Sequence, residues 1–439
     1  MKKEQTDTND VRLITLDPGH FHAALVQKIS YPGVSPDVYV YAPAGADLDE
    51  HLKKIDAYNT RAENPAKWNE IVYTGQDFFD RMIAEKKGNV MVTAGNNGKK
   101  TEYILKTLQA GINVLADKPM AINAADYEIL KQCFDVAKEK GILLYDIMTE
   151  RFEIATILQK EFSQIAAVYG EQQQGTPTEP GMMTESIHHF FKVVSGKPLI
   201  RPAWFFDTEQ QGEGIVDVTT HLIDLVQWQL FPEQSIEYVQ DVELIDANRW
   251  TTSISPAQFG EVTGLQTGYP DFLKKDVVND TLKVYANGDI LFKLRGVYAQ
   301  VAVKWNYTYP QGGGDTHYAI MRGSKAHLII EQGKEQNYRP TLYIQCVDKD
   351  TKIFEDALKR SLGAVAAKYD GIGISKLADD KWEVTIPAKY HNGHEAHFGQ
   401  VTEHYLEYLR AGSLPAWEVP NMISKYRLTT QALEFAKNK

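Results

Sequence analysis

From residue 11 to residue 147 short apolar runs alternate with amphipathic stretches. Residues 11–16 (VRLITL), 37–42 (DVYVYA), 70–74 (EIVYT), 89–94 (NVMVTA), 113–117 (NVLAD) and 142–147 (ILLYDI) read as strands. Residues 22–29, 76–86, 99–110 and 123–140 read as helices between them. Brief apolar strands separated by helices predict a doubly wound parallel sheet covered on both faces, an α/β architecture. After about residue 150 the rhythm changes. A helix-rich stretch is expected as far as Leu230, followed by longer alternating strands at 280–286, 289–296, 298–309, 326–333, 341–347 and 381–388. Asn287-Gly288 is a two-residue hairpin signal between the first two of these strands. This half predicts an α+β domain with a large, mainly antiparallel open sheet, closed by helices at about 395–410 and 420–437.

The chain has 439 residues, more than one core usually holds, so two domains are expected, at 10–150 and 151–439. A net charge of -11 argues against nucleic acid, whose phosphates call for a basic face. No apolar run approaches the roughly 20 residues of a membrane-spanning helix. The two cysteines, Cys133 and Cys346, lie outside any CxxC spacing and are expected as buried thiols; a disulfide between them stays open, and with it the redox compartment. The polar start, MKKEQTDTND, fits either a periplasmic or secreted protein whose signal was trimmed or a cytoplasmic one with a frayed terminus.

The chemistry gathers at strand ends. The fifth strand closes in VLADKPM, which delivers Asp117, Lys118 and Pro119 to the carboxyl edge of the sheet, where open α/β sheets bind ligands. Lys118 is there either as a solvated strand terminus or as a placed cation. The first strand runs into Asp17-Pro18-Gly19-His20-Phe21-His22. A dinucleotide fingerprint would place glycines at 17, 19 and 22, for a tight turn and close approach to a pyrophosphate. Only Gly19 is kept, and an ordinary Asp-Pro-Gly turn reads the same residues. The second strand ends without an acid until Asp47, and no arginine stands ready for a 2′-phosphate, which favours NAD while leaving NADP open. Thr93, Ala94, Asn96 and Asn97 follow the fourth strand, as small residues and amides beside a nucleotide or as a plain helix cap.

In GEGIVDVTTHLIDLVQW, residues 212–228, Asp217, His221 and Asp224 share one helical face. That face is either a reactive one or the solvated stripe of an amphipathic helix. Twelve histidines include His188-His189 and the HNGHEAHF run with His391, His394 and His397. Histidines three apart with no fixed carboxylate partner do not make a metal site, so none is expected. Glu150, His188, His317 and His394 are instead candidate substrate contacts. The loop Gly312-Gly313-Gly314-Asp315-Thr316-His317 suits sugar hydroxyls or is simply flexible, and 23 tyrosines offer faces for sugars or for a core.

Taken together, these segments resemble the Gfo/Idh/MocA oxidoreductases. The resemblance rests on TAGNNGKKTEYILKTLQAGINVLADKPMA, with Asp117-Lys118-Pro119 where the family has Glu-Lys-Pro, and on Gly214, Asp217 and His221 of the second-domain helix. DPGHFHAAL looks like a subgroup found beside carbohydrate-degrading enzymes. Departures are Asp17 and His22 for fingerprint glycines, Asp117 for Glu and Thr219 for the helix glycine. The resemblance implies a dinucleotide-binding Rossmann domain followed by a substrate-binding and oligomerising α+β domain. It implies an NAD(P)-dependent hydride transfer at a ring hydroxyl or ketone of a carbohydrate or polyol. Lys118, Asp217 and His221 would be catalytic. Asp17, Gly19, His20, Phe21, His22, Thr93, Ala94, Asn96, Asn97, Asp117 and Lys118 would border the cofactor. Two other functions share the sequence: an NAD-dependent glycosidase that oxidises transiently and keeps its cofactor, and a nucleotide-binding sensor without turnover. A homo-oligomer through the C-terminal sheet is also implied.

Overall fold

The computed structural model describes residues 11–194, 197–310, 312–348 and 350–439. The polar N-terminal segment, with residue 10 of the expected domain start, lies outside the described residues. The chain forms two compact units. The first runs to Thr149 and takes in His394–Val419; the second holds Glu150–Gly393 and Pro420–Lys439. The first unit's main run thus ends at Thr149, and a segment close to the C-terminus belongs to it as well.

In the first unit six strands, β1 (Leu13–Leu16), β2 (Asp37–Tyr41), β3 (Asn69–Tyr73), β4 (Val90–Thr93), β5 (Asn113–Asp117) and β6 (Leu144–Ile147), form a parallel sheet in the order β3-β2-β1-β4-β5-β6. All residues of β1 and β4 are buried, as a sheet covered on both faces requires. The order reverses between β1 and β4, whose last residues, Leu16 and Thr93, are paired. The helices are α1 (His22–Val26), α2 (Ala46–Thr60), α3 (Phe78–Glu85), α4 (Asn97–Gln109) and α5 (Ala124–Lys140). Helix α5 has clear ends: the Asn123 side chain accepts from Asp126 N at 2.9 Å, and Gly141 takes a left-handed φ of 64°. Helix α1 stops three residues before the sequence suggests, and just beyond its end Trp68 Nε1 donates to the Gln27 carbonyl at 2.6 Å, satisfying a terminal acceptor.

The second unit is built on a ten-stranded sheet. Its longer strands are β7 (Met182–His189), β8 (Val242–Ile254), β9 (Thr281–Leu294), β10 (Val297–Asn306), β11 (Thr316–Arg322), β12 (Ala326–Gln332), β13 (Thr341–Cys346), β14 (Gly373–Lys376) and β15 (Lys381–Thr385), in the order β8-β9-β10-β7-β11-β12-β13-β15-β14. Pairing is antiparallel except between β10 and β7. The principal helices are α6 (Ile154–Ser163), α7 (Thr219–Leu230) and α8 (Thr351–Lys368); α9 (His394–Ala411) and α10 (Glu418–Lys437) close the chain.

Three expectations change here. The stretch before Leu230 is not purely helical, since β7 lies inside the sheet between β10 and β11. The 312–317 segment read as a loop ends in a strand, with Thr316 and His317 already in β11. Asn287-Gly288 does not turn the chain: β9 runs straight through it, and the turn falls at Arg295-Gly296, both with positive φ. The reason is packing. Asn287 is 3% exposed, and its amide donates to Trp250 O at 3.0 Å and Thr252 Oγ1 at 2.9 Å while accepting from Trp305 N at 2.8 Å. Gly288 stands where a Cβ would come within 2.6 Å of Ile215 Cβ. Cys133 and Cys346 are both free and buried. Among the described residues no helix is long and apolar enough to cross a membrane.

Candidate active site

In the first unit the tips of β1, β4 and β5 bring the sequence candidates together. Asp17 takes a left-handed φ of 47°, Gly19 N donates to Asp17 O at 2.8 Å, and His20 N donates to Ala94 O at 3.0 Å. The close approach that a fingerprint glycine would relieve is relieved from the opposite side. A Cβ at Gly95 would lie 2.4 Å from Asp17 O and 3.0 Å from Gly19 N. Burial raises the Asp17 carboxyl, Lys99 and the Tyr103 hydroxyl at 3.3 Å oppose it, and Asp47 adds to the rise.

His22 fills the third fingerprint position and turns to β5. Its Nδ1 lies 3.0 and 3.2 Å from the Asp117 oxygens, with His20 Nδ1 at 3.5 Å. Burial alone would raise the Asp117 carboxyl, but the His22 and His20 rings and the Lys100 ammonium hold it well below the usual carboxylate range. Burial and the neighbouring His20 push His22 well below its ordinary value, so its ring is neutral near pH 7. One ligand atom each from His20, His22 and Asp117 lie within 4.8 Å of one another, which is metal-site spacing. The carboxylate is already compensated by the hydrogen-bonded His22 ring and the Lys100 ammonium, with His20 farther off at 3.5 Å.

Asn96 caps α4 by accepting from Gly98 N at 3.0 Å. Asn97 is buried, and its Oδ1 accepts from Lys100 Nζ at 2.5 Å. Thr93 and Ala94 are buried beneath the β1 loop, and Phe21, half-buried, precedes α1 with its ring 4.6 Å from that of His22. Lys118 is half-buried directly after β5, and its bond to Pro119 is cis. His394, expected in the second domain, starts α9 in the first unit, its ring 6.0 Å from that of His22.

In the second unit Asp217 lies in the turn before α7 rather than on the helix. Asp217 N donates to Glu213 O at 3.1 Å, and the side chain accepts from Gln211 Nε2 at 3.1 Å. Gly214 permits this entry: a Cβ there would lie 1.8 Å from Ala286 O of β9. The expected solvated stripe is absent, for Asp217, His221 and Asp224 are all buried. Asp224 is not reactive surface but the centre of an ion triplet. Arg151 Nε and Nη2 bind its carboxylate at 2.6 and 2.7 Å, and Lys425 Nζ binds at 2.8 Å.

A second polar group, of which the sequence singled out the histidines and Asp315 but not Lys192 or Arg201, stands at the end of β7. Asp315 accepts from His189 Nδ1 at 3.0 Å and His188 Nδ1 at 3.1 Å, and pairs with Lys192. The His188 ring stacks 4.9 Å from that of Trp305. Arg201 donates to the carbonyls of Phe190 and His189 behind it and feels the charges of Asp315 and Asp217. His317 Nδ1 lies 2.8 Å from Ser186 Oγ; burial lowers its pKa, Glu150 opposes the fall and His188 adds to it. Three of the four candidate substrate residues, Glu150, His188 and His317, are thus electrostatic neighbours. His317 also borders a groove of about 380 Å³ with Glu185, Tyr318, Glu331, Gln332 and Gln336.

The donor chemistry of the first unit fits a dinucleotide. Asp17 and Asp47 suit unphosphorylated ribose hydroxyls, and Lys99 offers a cation beside them. The profile described as "Oxidoreductase family, NAD-binding Rossmann fold" matches residues 42–145, and that described as "Putative oxidoreductase C terminal domain" matches 158–437. A crystal structure from Parabacteroides merdae ATCC 43184 is 65% identical, with 98% of each chain covered and a TM-score of 0.96. KijD10, a 3-ketoreductase from Actinomadura kijaniata solved with NADP, is 12% identical over 97% of each chain, TM-score 0.58. Levoglucosan dehydrogenase with NADH is 12% identical over 98% of this chain and 97% of its own, TM-score 0.61. These two share the fold. No curated protein matches the chain. With both profiles matched in series and a close relative along its full length, this chain belongs to the Gfo/Idh/MocA family of NAD(P)-binding oxidoreductases.

Proposed function

We propose that this oxidoreductase moves a hydride between NAD and a ring carbon of a carbohydrate or polyol, as alcohol oxidation or ketone reduction. The observation that carries this reading is the place of Lys118, a cation directly after β5 on the ligand-binding edge of a dinucleotide sheet. Its ammonium stabilises negative charge developing on the substrate oxygen. His221 accepts the hydroxyl proton in oxidation and returns it in reduction. Asp217, anchored by Gln211, acts beside it on the substrate hydroxyl. The bound dinucleotide supplies the hydride acceptor, chemistry no side chain provides.

The substrate class is supported by the group at the end of β7. Lys192 and Arg201 are matched by Asp315 and Asp217, so these four charges balance. A balanced array of donors and acceptors suits uncharged hydroxyls better than a phosphate. The names of two neighbours, a 3-ketoreductase and a levoglucosan dehydrogenase, support the same class. The family resemblance further implies a homo-oligomer, which light scattering after gel filtration would test.

The first experiment is to denature the purified protein and identify released nucleotide by mass spectrometry. NAD or NADH is expected in preference to NADP, because Asp17 and Asp47 oppose a 2′-phosphate. Stoichiometric NAD with turnover of a glycoside in the absence of added acceptor would move the reading to the glycosidase cycle. No released nucleotide and no binding of either dinucleotide in titration would favour a repurposed scaffold and sink the hydride mechanism. A Lys118→Ala variant is expected to fold and lose most turnover; wild-type rates would remove Lys118 from the chemistry.

A further inference from the structure

We propose that Lys100 is a positioning residue for this reaction, a buried clasp that fixes the backbone on both sides of Lys118. The inference rests on the reading of Lys118 as the reacting cation. Lys100 is 1% exposed, which is rare for a lysine, and lies on the buried face of α4 in line with Ile104 and Leu108. A charged group in that position needs fixed partners. An ammonium has three donors. Lys100 Nζ donates to Asn97 Oδ1 at 2.5 Å, to Asp117 O at 2.8 Å and to Pro119 O at 3.1 Å. Two of these acceptors are the backbone carbonyls immediately before and after Lys118.

The neighbouring position repeats the hold: Thr101 Oγ1 donates to Met120 O at 2.9 Å. On the side-chain side, Asp117 is held by His22 at 3.0 Å. Residue 117 is therefore tied at both its carboxylate and its carbonyl, and the departures from the family pattern at 22 and 117 face each other across one hydrogen bond. An apolar side chain of similar length would fill the stripe on α4 but would release both carbonyls. The direction in which Lys118 leaves the backbone is thus set from α4, by a residue outside the reacting groups. Small displacements of a catalytic group cost rate more than affinity, about 10²-fold for about 1 Å.

The test is a double-mutant cycle on the full chain, using NAD and a panel of methyl hexosides and free hexoses. The best wild-type substrate in the panel is carried forward. Lys100→Met is expected to lower kcat by about 10²-fold, with NAD affinity within about twofold of wild type. Lys100→Gln, which keeps two donors, is expected to recover part of the loss. Adding Lys100→Met to Lys118→Ala is expected to cost nothing further, because a clasp that acts only through Lys118 has nothing left to position. Amide hydrogen exchange should quicken at residues 117–122 in Lys100→Met whether or not a substrate has been found. Wild-type kcat, a loss that multiplies with Lys118→Ala, or unchanged exchange at those amides would each overturn the inference. If Lys100→Met does not fold, the same comparison is made with Lys100→Gln. Loss in Lys118→Ala with no loss in Lys100→Met would sink the clasp and spare the reaction, whereas full activity in Lys118→Ala removes both.

Discussion

At the scale of single residues, the reading divides the work between a permanent cation and a group able to exchange a proton. Lys118 is half-buried at a strand tip, and His221 is buried in α7. Only the histidine has an ordinary pKa suited to taking and returning a proton near neutrality. His221→Ala is therefore expected to slow turnover by roughly 10²–10⁴-fold. The loss should fall on kcat, as steady-state kinetics would show. Full activity would pass the role to Asp217. Asp117, though next to Lys118, is a poor rival base: His22 and His20 keep it ionised against burial, so it binds a proton too weakly at working pH.

At the scale of elements, α7 is held by a charge cluster rather than by an amphipathic face. Arg151, Asp224 and Lys425 tie the segment after β6 and helix α10 to the middle of α7, at a carboxylate that is 1% exposed. Replacing Asp224 with Ala leaves two buried cations without their anion. The expected loss is about 3–5 kcal/mol of stability, read as an earlier chemical-denaturation midpoint. A loss below about 1 kcal/mol would mean that water reaches the triplet. This cluster also shows what the chain's pattern could not reveal. Spacing alone placed Asp217, His221 and Asp224 on one face, but their partners lie at 151, 201, 211 and 425, separations no local rule sees. Lys100 was not singled out from the sequence, although a lysine in register with Ile104 and Leu108 is a local signal, interrupting an apolar stripe. The parallel sheet was legible nearly throughout, because each β-α step is local and β1, β4 and β6 are buried along their whole length. The second sheet was less so. Strand β7 joins it through long-range pairings with β10 and β11, and Asn287-Gly288 carries turn chemistry yet is consumed by packing against Trp250, Trp305 and Ile215.

At the scale of the molecule, buried ionisable groups set how stability responds to acid. His22 and His317 have folded values below their unfolded one of about 6.5. Their contribution is complete above that pH and declines as pH falls below it, because the unfolded chain binds the protons first. Asp17, Glu213 and Asp289 are raised by burial, so their titration works the other way and favours the folded state as pH falls toward 4. Between pH 7 and 4 the two sets oppose each other, and only a shallow slope is expected. Below about 4 the balance ends. Asp117, Asp224 and Asp315 are all held below the usual carboxylate range despite burial, and each loses its stabilising charge only as pH falls toward its own low folded value. All three then act in the same direction. Calorimetry at pH 7, 5, 4 and 3 should show a nearly flat unfolding midpoint down to 4 and a steep fall after it. Asp315→Asn should lie below wild type at pH 7 and 5 by a constant margin, and the two curves should converge on further acidification as wild-type Asp315 takes up its proton. A margin that closes already between pH 7 and 5 would place the controlling titration elsewhere than on the Asp315 carboxylate.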